Sequence, residues 1–266
     1  MRLRHSLIFV THDKYKKLIA AHHCIMTTHA LIFLLAIAAS FIQRASGFGF
    51  GIFVMMFFPF ILPGYGESTT LSGLLAGTTA LFITLRHWKH ICWRSVAVII
   101  LFNIMASFVA IEYMSTLGND TLKRCLGAVL VAVALYVLFW EKKMTTLFCS
   151  NKARAVIGTI SGIMGGVFAM PGPAVVFYCI GAIKDKMQYM ATMQALSVVF
   201  NIFYTLFRAR AGFFTPDTFF YWGAGIGGII IGSLIGAWCF KRISRETLRR
   251  AVCVLMIISG TIAIFR

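Results

Sequence analysis

Gln43 to Leu62 reads QRASGFGFGIFVMMFFPFIL, an apolar segment interrupted by Gly47, Gly49 and Gly51 and again by Pro59. Glycine costs about 1 kcal/mol per residue relative to alanine inside a helix. Unwound backbone in lipid leaves N–H and C=O groups unpaired, so such a stretch persists at bilayer depth only where protein buries it or where it lines a cavity. A second apolar stretch, Gly158 to Ala182, is interrupted in the same way by Gly162, Gly165 and Gly166 and then by Pro171, Gly172 and Pro173. It lies roughly 115 to 120 positions downstream. Broken segments in corresponding places of two halves point to the binding site of a secondary transporter. The chain therefore reads as a membrane transporter built from two repeats.

Composition supports the membrane. Of 266 residues, 59% are hydrophobic and 12% charged, with a mean hydropathy of +0.85, outside the range of soluble domains. The 25 Lys+Arg against 8 Asp+Glu do not form one patch for nucleic acid. They fall between apolar spans, where basic residues anchor loops. The seven cysteines show no CxxC pair and no metal-ligand spacing with histidine, so buried free thiols are expected and neither a metal nor a cofactor.

Residues 1–28 form a basic tail. A signal peptide has a similar outline, but the glycine-rich pattern follows too soon, and a cytoplasmic tail, or an over-long start with Met26 as the initiator, fits better. Residues 29–140 form the first transmembrane repeat, the charged stretch 141–154 a linker, and 155–266 the second repeat. Thr121-Leu-Lys-Arg124 in the last helix of the first half corresponds to Thr247-Leu-Arg-Arg250 in the second. Gly73 and Gly77, and Gly228, Gly232 and Gly236, lie four apart and read as close-packing surfaces. Asn103 and Ser107 share a face. Gln194, Ser197, Asn201, Tyr204 and Thr205 also fall on one helical face, which is either a solute-lining surface or hydrogen-bonding glue between helices.

Counting each broken segment as one span gives an all-α polytopic membrane protein with about eight transmembrane helices. With the N-terminus in the cytoplasm, inside segments hold 15 Lys+Arg and outside loops nine, with Arg44 at the first break. The second half alone prefers the opposite orientation, seven to five. That preference hints at an inverted repeat, which needs an odd span count, for instance a broken segment that is a hairpin.

The pattern Gln43, Gly47, Gly49, Gly51 and Pro59 resembles the first repeat of the TauE/SafE family, the sulfite and organosulfonate exporters and related permeases. Gly162, Gly165, Gly166, Gly172 and Pro173 match that family's second glycine-rich run, with Ala169 and Pro171 where glycine is usual. The resemblance covers about Ala30 to the C-terminus. It implies export of a small anion, sulfite or an organosulfonate, across the cytoplasmic membrane.

The eight carboxylates and seven histidines fall at expected loops or span ends, leaving no acid or base at depth for an intramembrane enzyme or a proton relay. Glu112 is the nearest candidate. Helix N-termini at the two breaks suit an oxyanion, and glycine admits it close to the amides; the alternative is that each glycine only allows tight helix crossing. Arg44 could pair with an anionic substrate or snorkel to the interface. The expected site is thus Gln43, Arg44, Gly47, Gly49, Gly51 and Pro59 with Gly162, Gly165, Gly166, Gly172 and Pro173, faced by Gln194 and Asn201. Its partners are a small anionic substrate and the lipid bilayer. A non-transporting membrane scaffold, or a permease for another small solute, is the alternative, and oligomeric state stays open.

Overall fold

A computed structural model describes residues 26–44, 47–139, 150–239 and 245–265. Most of the basic tail and most of the linker lie outside the described residues. All described regular structure is helical. In chain order it comprises α1 (Met26–Arg44), α2 (Phe50–Met55), α3 (Phe58–Ile61), α4 (Tyr65–His87), α5 (Trp93–Met114), α6 (Asn119–Phe139), α7 (Asn151–Phe168), α8 (Gly172–Ala182), α9 (Lys186–Arg210), α10 (Pro216–Cys239) and α11 (Arg245–Phe265).

Local chemistry sets several starts. Pro63 and Gly64 stop α3, and α4 opens with Glu67 in its first turn, on the positive end of the helix dipole. Ser150 caps α7 by accepting from the Lys152 amide, and Asp185 caps α9 by accepting from the Gln188 amide at 2.8 Å.

Helix directions follow from which residues touch. On α10, Gly228 lies on the Phe33 carbonyl of α1, Gly232 on that of Ile37 and Gly236 on that of Phe41, so α1 and α10 run the same way. Gly158, Gly162 and Gly166 of α7 lie in order on Ile99, Asn103 and Ser107 of α5, and these two also run together. In α4 and α10, Thr215 just before α10 donates to Glu67 and Trp222 donates to Thr78, again in the same direction. In α5 and α9, Cys92 pairs with Thr192, Asn103 with Tyr204 and Glu112 with Arg210, likewise. By contrast, Thr69 meets Arg208 while Gly77 meets Asn201, so α4 and α9 are antiparallel.

One consequence corrects the reading of each broken segment as a single crossing. Because α1 and α4 both run with α10, the chain must return between them, and α2 with α3 is that return. Because α7 and α9 both run with α5, α8 is the return in the second half. Each break is therefore the bend of a hairpin between a long helix and a short one. Long helices, of 18 residues or more, number eight among the described residues: α1, α4, α5, α6, α7, α9, α10 and α11.

The packing is that of a protein in lipid. Five of these helices are long and apolar enough to cross a membrane. Their outward faces carry large apolar side chains, as in the stripe Leu101, Met105 and Val109 on α5. Ser68, Thr69, Thr70, Thr79, Asn103, Ser107, Ser161 and Gln194 are buried inside. Water would reward the reverse arrangement, and this one suits a bilayer. The glycine seams of α1 with α10 and of α5 with α7 bring backbones together, as the four-residue spacing of Gly228, Gly232 and Gly236 leads one to expect.

Candidate functional site

The two breaks touch. Gly47 and Gly49 have φ of 87° and 103°, left-handed conformations open to glycine, and they turn the chain from α1 into α2. Gly51 then lies against the backbone of the second break, where an added methyl would run into the Ala169 carbonyl. Phe48 packs over Gly172, 3.6 Å from where a Cβ of that glycine would stand. Ala169 ends α7 at φ 55°, a conformation that costs a non-glycine residue roughly 1–2 kcal/mol. This is one of the two positions where the resembling family has glycine.

Between the breaks lies a cavity of about 50 Å³, room for a few waters or a comparably small solute. Of the expected site residues, Gln43, Gly47, Gly49, Gly51, Gly172 and Asn201 line it, together with Ala76, Pro171 and Ser197. Ala76 and the α9 stretch that contributes Ser197 and Asn201 lie near the middle of their helices, so the cavity is at mid-length of α4 and α9.

A network of amides holds its wall. Gln43 Nε2 donates to Gln194 Oε1 at 2.9 Å, and Gln194 Nε2 donates to the Gly47 carbonyl at 2.9 Å. Gln194 thus stands one layer behind the wall and fixes the first break. A second network fixes the other break: Tyr204 donates to Asn103 at 2.9 Å, Asn103 to Ser161 at 3.0 Å, and Ser161 to the Pro171 carbonyl at 2.8 Å. On the polar face of α9, Ser197 and Asn201 stand at the cavity and Tyr204 bonds between helices.

The remaining expected residues stand away from the wall. Gly162 and Gly166 pack on the α5 backbone and Gly165 on Tyr204. Pro59 is buried in α3. Pro173 lies in the first turn of α8. Arg44 ends α1 beside Gly236 of α10.

Arg208 is a functional candidate that its place in the sequence conceals. Two residues from the end of α9, it reads as an anchoring cation, yet it is fully buried. Its Nη1 donates to the Thr69 carbonyl at 3.0 Å, and its Nη2 to those of Gly165 and Gly166 at 2.8 and 3.0 Å. Its guanidinium lies over the Tyr204 ring, and its Nε has no partner. A methyl placed on Gly73 would meet Arg208 Nη1 at 2.9 Å and Asn201 Oδ1 at 3.1 Å. Arg208 and Asn201, a residue of the cavity wall, thus both border Gly73. Among the described carboxylates, Glu67 is buried and accepts from Thr215 Oγ1 at 2.6 Å. Glu112 is 44% exposed and lies 3.6 Å from Arg210, at the rim rather than at the cavity.

Residues 32–262 match the sulfite exporter TauE/SafE family. The chain is also similar to a protein of Cupriavidus necator described as a probable sulfite/organosulfonate exporter TauE, with 24% identity over 234 residues, covering 83% of this chain and 87% of that one. No solved structure matches the chain.

Proposed function

The chain belongs to the sulfite exporter TauE/SafE family, a family of membrane transporters, and from that premise we propose that it is a secondary transporter that exports a small anion, sulfite or an organosulfonate, across the cytoplasmic membrane. The observation that carries this reading is the meeting of the two breaks around one small cavity at mid-length of α4 and α9, the arrangement in which secondary transporters bind solutes. The anion's charge is met by the amino end of α8 and by the Arg208 guanidinium near Asn201. Gln43, Gly47, Gly49, Gly51, Gly172 and Asn201 form the contact surface, with Gln194 positioning Gln43.

Residues 29–140 and 155–266 then act as two repeats of opposite orientation. The antiparallel pairing of α4 with α9 supports this, as does the exchange by which α1 packs on α10 and α7 on α5. Helix directions also divide the charges anew. Ends of α1, α4 and α8 and starts of α5, α7, α9 and α11 share one face, which carries eleven of the described Lys and Arg: Arg44, Arg86, Lys89, Arg94, Lys152, Arg154, Lys184, Lys186, Arg245, Arg249 and Arg250. The other face has Lys123, Arg124, Arg208 and Arg210. The positive-inside rule makes the first face cytoplasmic, and the start of α1 then lies on the outer face. This reverses the orientation favoured by counting spans, because a hairpin returns the chain to the side from which a crossing would have taken it.

An inside-negative potential favours outward movement of an anion by about 2.3 kcal/mol per charge at 100 mV, so export needs no carboxylate relay. The test is efflux of labelled sulfite from liposomes holding the purified protein under an imposed potential. Efflux no faster than from empty vesicles, across sulfite and a panel of sulfonates, would leave a membrane scaffold as the better description.

A further inference from the structure

The orientation of the Gln43 amide is dictated by its neighbours. The Gly47 carbonyl can only accept, so the end of Gln194 that contacts it is the NH2 group. The other end of Gln194 is then oxygen, and what donates to it is Gln43 Nε2. The end of Gln43 left over is its Oε1, buried and without a partner, on a residue of the cavity wall. Asn201 repeats the pattern: its Nδ2 donates to the Ser197 carbonyl at 2.8 Å and to Ser197 Oγ at 3.3 Å, which leaves Oδ1. Asn201 Nδ2 is thus fully engaged within the protein and Gln43 Nε2 gives one of its two N–H groups to Gln194, while the oxygen of each amide accepts no hydrogen bond.

Oxygen lone pairs repel a bare oxyanion, while the Arg208 cation near Asn201 attracts one. Both demands are met by one kind of molecule. We infer that the solute of this site is a small anion that also carries an O–H or N–H donor for Gln43 Oε1, such as hydrogen sulfite or an amino- or hydroxy-bearing sulfonate, and that anions without a donor are poor ligands. This inference rests on the transport reading above and narrows it.

Sulfamate and methanesulfonate test it, since both are monoanions at neutral pH with the same number of heavy atoms and differ by an NH2 in place of a methyl. In liposomes holding the wild-type protein, each is titrated against efflux of labelled sulfite. The expected result is half-inhibition by sulfamate at a concentration roughly tenfold or more below that of methanesulfonate, the discrimination set by one buried acceptor left without a donor. In Gln43→Met, which lacks the acceptor, the ratio falls towards one. Equal potency on the wild-type protein overturns the inference while sulfite transport stands, and needs no variant to fold. A preference that survives in Gln43→Met overturns the assignment to Gln43. Absence of any sulfite efflux from the wild-type protein overturns the transport reading and this inference with it.

Discussion

Gly51 and Gly172 sit on opposite breaks and face the same cavity, yet they tolerate different changes. A methyl on Gly51 runs into the Ala169 carbonyl, which is backbone and cannot swing aside, whereas one on Gly172 makes ordinary contact with Phe48 at 3.6 Å. Gly51→Ala is therefore expected to destabilise the protein by about 1–3 kcal/mol, and Gly172→Ala to leave its melting in detergent nearly unchanged. Equal melting of the two variants would show that the breaks do not press together in the folded protein. At this scale the sequence is informative where glycine is the signal. Gly47 and Gly49 announce a bend, and their positive φ values show why glycine is favoured there. It is silent about Arg208, because a cation two residues from a helix end looks the same whether it reaches water or turns inward to carbonyls. The uncommitted oxygen of Gln43 is equally invisible, since it depends on what Gln194 touches.

At the scale of elements, Arg208 joins three helices. From α9 it holds the Thr69 carbonyl of α4 and the Gly165 and Gly166 carbonyls in the last turn of α7. The Gly165 carbonyl also accepts from the Ala169 amide at 3.1 Å, while that of Gly166 lies past the reach of the helix's own amides. A lysine keeps the charge but not the fixed fork of donors, and each buried carbonyl left unmatched costs about 1–3 kcal/mol. Arg208→Lys is thus expected to lower the melting temperature distinctly. Arg210→Lys, at a position 72% exposed beside Glu112 and over the Phe108 ring, is the control and should change stability by less than about 1 kcal/mol. If both variants melt together, the carbonyl links contribute nothing to holding α7 and α4 on α9. The seam of α10 was legible from the four-residue spacing of Gly228, Gly232 and Gly236, but that of α7 was not, because Gly162 and Gly166 read as part of the site. The hairpins were not, because a glycine-rich interruption has the same composition whether the chain continues across the membrane or doubles back, and only the neighbours of α1 and α4 decide between the two.

For the whole molecule, orientation is the quantity that hairpins change most. Gly118 lies between α5 and α6 on the face poor in basic residues, and Lys184 lies between α8 and α9 on the face rich in them. In a cysteine-free background, Gly118→Cys should react with a membrane-impermeant maleimide added outside intact cells made permeable to it as far as the membrane that holds the protein. Lys184→Cys should react only after the membrane is opened. The opposite pattern would return the start of α1 to the cytoplasm. The all-α membrane class was readable from hydropathy and from the two broken segments. Orientation was not, since a charge count is only as good as the assignment of each loop to a side.

The seams tie helices that are far apart in the chain, and this bears on how the protein is made. The groove of α1 that receives Gly228, Gly232 and Gly236 leaves the ribosome with its partner α10 still some way behind. At ~5–20 residues per second, the interval from Arg44 to Pro216 lasts on the order of ten to thirty seconds. During that time the groove must face lipid or an insertion factor. Synthesis of the first half alone leaves α1 and α5 without α10 and α7, so a chain stopped before α7 never completes either seam and is exposed to the proteases that clear unassembled membrane segments.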